Sequence, residues 1–331
     1  MQTFFINSPV AVESSAAVVG KKEGEGPLKS YFDHIAEDIF FGTKTFEQAE
    51  SKFVSEAVNM ALKKAKKTPD DVDFLFGGDL LNQCIGTSYG IRSFGIPFFG
   101  LYGACSTMAE SLALATITLS LGQHRRAVAV TSSHFYSAER QYRFPIEYGG
   151  QRPPTAQWTV SGSGAALLKK GKGGVQITSV TAGRMLDFGI TDANNMGPAM
   201  APAFVDTLKN HLADTKRKVT DYDLILSGDL GRFGMQMARE LARDEGIVLG
   251  DNYTDCGCEI FDLKRQDVHS GGSGCGCSAT VLCGKILPEL RAGKYRRVLL
   301  LSTGALMSPT SVQQGESICG IAHAVCFERG E

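Results

Sequence analysis

Leu101-Tyr102-Gly103-Ala104-Cys105-Ser106-Thr107-Met108-Ala109-Glu110-Ser111-Leu112 is the stretch on which the reading of the whole chain turns. A glycine-bearing loop runs into Cys105, and Ala109, Leu112, Ala113, Thr116 and Leu119 follow at helical spacing. Ser106 or Thr107 is placed to cap this helix, and Glu110 suits its first turns. A cysteine at that point aims its sulfur at unpaired backbone N–H groups and the positive end of the helix dipole. Both favour thiolate over thiol. The stretch therefore offers a nucleophile or an anion anchor, against the plainer reading of a small residue packing a helix on a sheet.

On either side of it lie apolar runs. Val72 to Asp79 reads as a buried strand ending in glycines, and Arg125 to Ser133 as a second core strand. Upstream, Phe46, Ala49, Phe53, Ala57 and Met60 form one helical stripe, stopped by Thr68-Pro69-Asp70-Asp71. Asn7 to Val19 suits a strand or two, and Gly20 to Pro27 a loop.

The second half repeats this order. Met200, Phe204, Leu208 and Leu212 make a helical stripe, and Leu224 to Leu230 a strand. Its Gly228-Asp229-Leu230 matches Gly78-Asp79-Leu80 at an offset of 150 (229 − 79). Cys277-Ser278 matches Cys105-Ser106 at 172 (277 − 105), and Arg297 matches Arg126 at 171 (297 − 126). These offsets predict two copies of a helix–strand–helix–strand unit, residues 1–172 and 173–331, stacked around shared helices. Ser137 to Pro154, rich in arginine, aromatic residues, glycine and proline, reads as a long loop lining a site or a subunit contact.

At 331 residues with 43% hydrophobic and 21% charged residues, the composition is that of a soluble α/β protein. A net charge of −1 gives no nucleic-acid footprint. The N-terminus lacks the basic and apolar regions of a secretory signal, and no run of about 20 apolar residues predicts a membrane span. Nine cysteines, an odd number, suit a reducing compartment better than a disulfide scaffold. Cys256-Gly257-Cys258 and Cys275-Gly276-Cys277 are spaced too tightly within each pair for the usual structural zinc site.

Cys105 at the start of a buried helix, His269 in Val268-His269-Ser270-Gly271-Gly272-Ser273-Gly274, and Cys319 in Ile318-Cys319-Gly320 resemble the thiolase and ketosynthase superfamily. That resemblance implies a five-layered α-β-α-β-α sandwich of two pseudo-repeats. It also implies Cys105 as acyl acceptor, His269 as its activator and Cys319 as the second cysteine. Condensing enzymes place an oxyanion donor after the strand Leu224 to Leu226; here Ser227-Gly228-Asp229-Leu230 stands there, and Asp229 opposes developing negative charge.

A closer set of motifs resembles the stage V sporulation protein AD family. They are Gly78-Asp79-Leu80-Leu81-Asn82-Gln83, Gly100 to Thr107, Gln151 to Val160, and Asn195-Met196-Gly197-Pro198-Ala199-Met200. The resemblance implies a non-catalytic thiolase-fold protein of the developing spore that binds dipicolinic acid (pyridine-2,6-dicarboxylate) or its calcium chelate. It further implies peripheral association with the spore inner membrane beside other stage V sporulation A proteins, and no cofactor. The alternatives are an active thiolase or acyltransferase on coenzyme A thioesters, and a structural scaffold of a membrane complex.

The expected ligand residues are Cys105, His134, Arg140, Arg143, Arg152, His269, Cys319 and His323, with the ligand above Cys105. His134 directly follows a strand, where α/β sites form. His34, His124 and His211 read as surface or structural; Cys84, Cys283 and Cys326 as packing; Trp158 as core or as the border of the pocket. The resemblance also implies a homodimer paired through the apolar strand Ala127 to Thr131.

Overall fold

The computed structural model describes residues 1–142 and 152–330. The N-terminal half runs through β1 (Thr3–Val19), α1 (Lys21–Gly24), β2 (His34–Ile35), α2 (Phe46–Lys64), β3 (Phe74–Gly78), α3 (Ile85–Ile91) and β4 (Phe98–Gly100). It continues with α4 (Thr107–Ser120), β5 (Arg126–Ser133), α5 (Phe135–Tyr142), β6 (Trp158–Thr159) and β7 (Gly162–Lys170). The C-terminal half holds β8 (Val175–Thr181), α6 (Gly197–Thr215), β9 (Leu224–Ser227), α7 (Gly231–Asp244), β10 (Tyr253–Asp255), α8 (Cys256–Ile260) and β11 (Gly272–Ser273). It ends with α9 (Cys275–Val281), α10 (Leu287–Ala292), β12 (Arg297–Leu306), α11 (Pro309–Gln313) and β13 (Cys319–Arg329).

The repeat expected from the offsets is present in the strand order. One half runs β4-β3-β5-β7-β1 and the other β10-β9-β12-β13-β8. The pairing senses match: parallel across the first three strands of each set, antiparallel for the last two. The halves are joined, because β1 pairs with β7 and also with β8, so one ladder runs through both.

Strand alternation builds the layers. On β5, Ala127 and Ala129 face the central helices α4 and α9, while Val128 and Val130 face Phe53 and Ala57 of α2. On β12, Val298 and Leu300 face the same central helices, and Leu299 and Leu301 face Phe204 and Leu208 of α6. Two helical outer layers, the two halves of the continuous sheet and a shared helical centre result, an α-β-α-β-α arrangement. Helix α2 starts where Thr45 accepts a hydrogen bond from the Gln48 N–H at 3.2 Å, and the Thr68–Asp71 capping box sets up the turn into β3.

Three sequence readings are corrected. Residues 137–142 are helical, since Ala138 and Tyr142 recur at i and i+4 and pack together towards Cys105. Helix α4 begins at Thr107 after a 3₁₀ turn, Ala104–Ser106, and neither expected cap forms. The Ser106 hydroxyl donates to the Gly103 carbonyl and the Thr107 hydroxyl to that of Ala104. Finally, Ala127 to Thr131 is no edge: β5 lies between β3 and β7, and the edge on that side is β4.

Candidate functional site

Cys105 sits on the 3₁₀ turn before α4, just after Ala104, whose φ of +51° is left-handed backbone that a non-glycine residue rarely adopts. Gly304 of β12 permits the turn to lie this close: a Cβ there would come 2.7 Å from the Gly103 carbonyl oxygen. The thiol is thereby held between the two halves, 6% exposed.

Its electrostatics reverse the expectation of a thiolate. Burial pushes the Cys105 thiol well above its ordinary range, and Asp229 and Cys275 add to the effect. Asp229, 1% exposed, accepts from the Thr303 hydroxyl at 2.8 Å and from the Gly274 N–H at 2.9 Å, and its charge acts on the Cys105 thiol. Burial raises the Asp229 carboxyl to about 7. The helix-end donors cannot offset desolvation and a carboxylate acting together, so Cys105 remains a thiol.

The pocket above Cys105 is lined by Leu80, Ala138, Ala193, Met196, Ala305 and Met307, with Glu139, Tyr142, Thr159 and Ser273 as its polar groups. Its enclosed volume is about 50 Å³. A neighbouring cleft of about 330 Å³ shares Ala104, Tyr142 and Met307 with it. Among the described lining residues none is lysine, arginine or histidine.

Of the seven expected ligand residues that are described, only Cys105 lines this pocket. His134 is buried in a different cleft; its Nε2 donates to the Ile39 carbonyl at 2.9 Å, and burial lowers it to about 4, so it is neutral. Arg140 forms an ion pair with Glu47 on α2. Arg143 lies outside the described residues. Arg152 lies over the Trp158 ring and contacts Asp267. His269 occupies a left-handed bend (φ +52°), and its Nε2 is 3.1 Å from Asp267 Oδ1. From that turn Ser273 and Gly274 reach the site instead, four and five residues further on. Cys319 starts β13 opposite Leu306, and its thiol is raised by burial and by Asp187 and Glu316. His323 is half-buried and neutral, lowered to about 4 by desolvation, and accepts from the Gly183 N–H at 3.1 Å.

The pocket residues not foreseen were Glu139, Tyr142, Met196, Ser273 and Met307. The only signal for two of them was the short amphipathic stripe of α5. His211 is structural, bridging Thr181 and Tyr222 at 2.7 and 2.8 Å.

The sequence profile of the family described as Stage V sporulation protein AD matches residues 1–328. The Stage V sporulation protein AD of Bacillus subtilis (strain 168) is 47% identical over 328 residues, covering 99% of this chain and 97% of that protein. Among solved structures, a thiolase from Ascaris suum in complex with coenzyme A superposes with a TM-score of 0.63 at 11% identity, covering 97% of this chain and 100% of that one. The 3-oxoacyl-[acyl-carrier-protein] synthase III of Aquifex aeolicus VF5 gives 0.59 at 12%, covering 96% and 99%. At such identities these two likenesses speak to fold alone, a thiolase-like one. Profile and relative together settle the family: the chain belongs to the stage V sporulation protein AD family.

Proposed function

We propose that this protein binds dipicolinate, as its calcium chelate, in the pocket above Cys105 and serves its uptake into the developing spore without catalysing acyl transfer. The observation that carries this reading is the Cys105–Asp229 contact. A thiol held protonated beside a buried carboxyl is a poor acyl acceptor, while the pocket around it has an apolar lining with a few polar groups.

The charge of the ligand follows from the lining. Dipicolinate carries two negative charges, and burying them without matching cations is costly. Calcium as co-cargo neutralises both, and Glu139, Tyr142, Thr159 and Ser273 then supply oxygen atoms of the kind calcium accepts.

The homodimer expected through Ala127 to Thr131 is proposed instead along β4, the edge strand, whose Phe99 is 51% exposed. Other stage V sporulation A proteins would hold it at the membrane; no described helix is long and apolar enough to cross one.

Calorimetric titration with equimolar calcium and dipicolinate should show saturable binding, and acetoacetyl-coenzyme A with free coenzyme A should show no turnover. Thiolysis that is abolished by Cys105→Ala would overturn the reading.

A further inference from the structure

The sheet has a second end, away from the Cys105 turn. Across it one row of paired residues runs Arg126, Lys169, Ala11, Gln176, Glu328 and Arg297, so the same edge of both repeats lies on one side of the molecule. In the first repeat this edge is formed by residues 63–73, 124–126 and 169–174, which hold nine lysines and arginines and three acids. Glu13 and Asp33 reach in to pair with Arg126 and Lys64. The balance is +4 (9 − 5) on a chain whose total is −1.

Two of the three acids hold turns. Asp73 accepts from the Arg125 and Arg126 N–H groups at 2.7 and 2.9 Å, and Asp71 from the Thr68 N–H at 3.0 Å. The third, Asp70, is exposed. Lys63, Lys66 and Lys172 are exposed too, and none of them forms an ion pair among the described residues. The second repeat keeps Lys216 and Arg297 at the matching places, offsets of 150 (216 − 66) and 171 (297 − 126). There, however, the exposed Asp244, Glu245 and Asp251 flank the edge, and Asn252 beside them bonds the Val219 and Tyr222 carbonyls. Positive charge is therefore concentrated on the first repeat. Beside it, just past α4, Leu121 is 74% exposed, and the neighbouring Gly122 carbonyl accepts from Lys170 Nζ at 2.8 Å.

From this placement we infer that the first-repeat edge is a docking face for an anionic lipid surface. Seven of its nine cations are lysines, and Arg126 is committed to Glu13. Lysines are mobile point charges without the planar fork that specifies a single carboxylate, so they suit the diffuse field of phospholipid headgroups. An apolar side chain beside lysines suits the boundary between headgroups and acyl chains. Leu80, which lines the Cys105 pocket, follows the opposite end of β3, so a docked molecule keeps that pocket turned away from the lipid. The face is independent of what the pocket binds.

The test is cosedimentation of the full chain with vesicles of phosphatidylcholine alone or mixed with phosphatidylglycerol. Binding should require phosphatidylglycerol and fall as sodium chloride is raised. Lys63→Gln/Lys66→Gln/Lys172→Gln should weaken it roughly fivefold for each charge removed, and Leu121→Ser about tenfold. Lys216→Gln/Lys218→Gln/Arg296→Gln removes as many charges from the second repeat and should cost less than about fivefold in total. An unchanged Tm checks that each variant is folded.

Absence of binding to phosphatidylglycerol vesicles, equal binding to both compositions, or equal loss in the two triple variants would each overturn the face. Tighter binding to poly-glutamate than to the vesicles, unaltered by Leu121→Ser, would assign the face to an acidic protein and overturn the lipid reading. The Cys105 pocket is judged separately, by titration with the calcium chelate.

Discussion

Asp79 and Asp229 occupy the same place in the two repeats, after a glycine at the end of a central strand, and they do different work. Asp79 holds its own turn: it accepts from the Leu81 N–H at 2.9 Å and from the Thr87 N–H and hydroxyl, each at 2.7 Å. In the second half that task falls to Asp255 at the end of β10. It accepts from the Leu230 N–H at 2.8 Å, the Gly231 N–H at 3.0 Å and the Ser227 hydroxyl at 2.6 Å. Asp229 is thereby released from its turn and reaches the Gly274 amide, Thr303 and Cys105. One motif can serve as a structural clasp in one repeat and as part of a site in the other, once a neighbouring strand takes over the clasp.

The largest effect should separate clasp from site. Asp79→Ala orphans two backbone N–H groups and the Thr87 hydroxyl, at ~1–3 kcal/mol per group. Asp255→Ala orphans two backbone N–H groups, since Ser227 keeps the Tyr253 hydroxyl at 3.1 Å. Each should therefore destabilise the protein by about 3 kcal/mol or more in chemical denaturation. For Asp79 the relief of its repulsion with the buried Glu50 offsets part of that loss. Asp229→Ala orphans one amide and one hydroxyl and should cost less than Asp79→Ala. The reverse order would break the comparison.

Next comes thiol chemistry. Asp229→Asn removes the negative charge beside Cys105 and keeps the side chain's size. Alkylation of Cys105 by iodoacetamide, followed by mass spectrometry at pH 8, should accelerate by roughly tenfold for each unit by which the thiol is lowered. An unchanged rate would mean that burial alone holds the thiol, and that Asp229 has no special part.

The smallest effect is in the pH dependence of stability. Burial raises Glu23 to about 7, Glu50 to about 8 and Asp229 to about 7. In the unfolded chain these carboxyls lose their protons near pH 4, so the folded state binds more protons above that point and stability falls as pH rises. His134, His211 and His323, lowered to about 4 in the fold, act oppositely between pH 4 and 6.5. Above pH 6.5 the histidines are neutral in both states and only the carboxyls remain. Tm should therefore drop from pH 6.5 to pH 8, and Glu50→Gln should flatten the drop.

These contrasts also show how far the sequence could be read. The layers were legible because each strand alternates and each outer helix carries one stripe, so Phe53 and Phe204 declared their faces in advance. The repeat was legible from Cys-Ser and the strand after it at offsets of 172 and 171, with Gly-Asp-Leu recurring at 150. The site was only half legible. The turn carrying His269 looks like a histidine-bearing active-site turn, but pairing of Gly272 with Trp158 and Ser273 with Thr159 brings Ser273 to Cys105 and leaves His269 on an outward bend. Arg140 lies on a helix flank and Arg152 over an indole, and the sequence did not show this because partners as distant as Glu47 and Asp267 leave no local signal.

The most direct test of the central claim is calorimetry with equimolar calcium and dipicolinate on the unmodified protein, Cys105→Ser and Cys105→Trp. A binding pocket over an inert thiol predicts that Cys105→Ser keeps its affinity within about tenfold, a 1.4 kcal/mol margin. Cys105→Trp, which fills the space between Leu80, Ala138 and Met307, should abolish binding. Chelate binding to Cys105→Trp as tight as to the unmodified protein would contradict the account and place the ligand elsewhere.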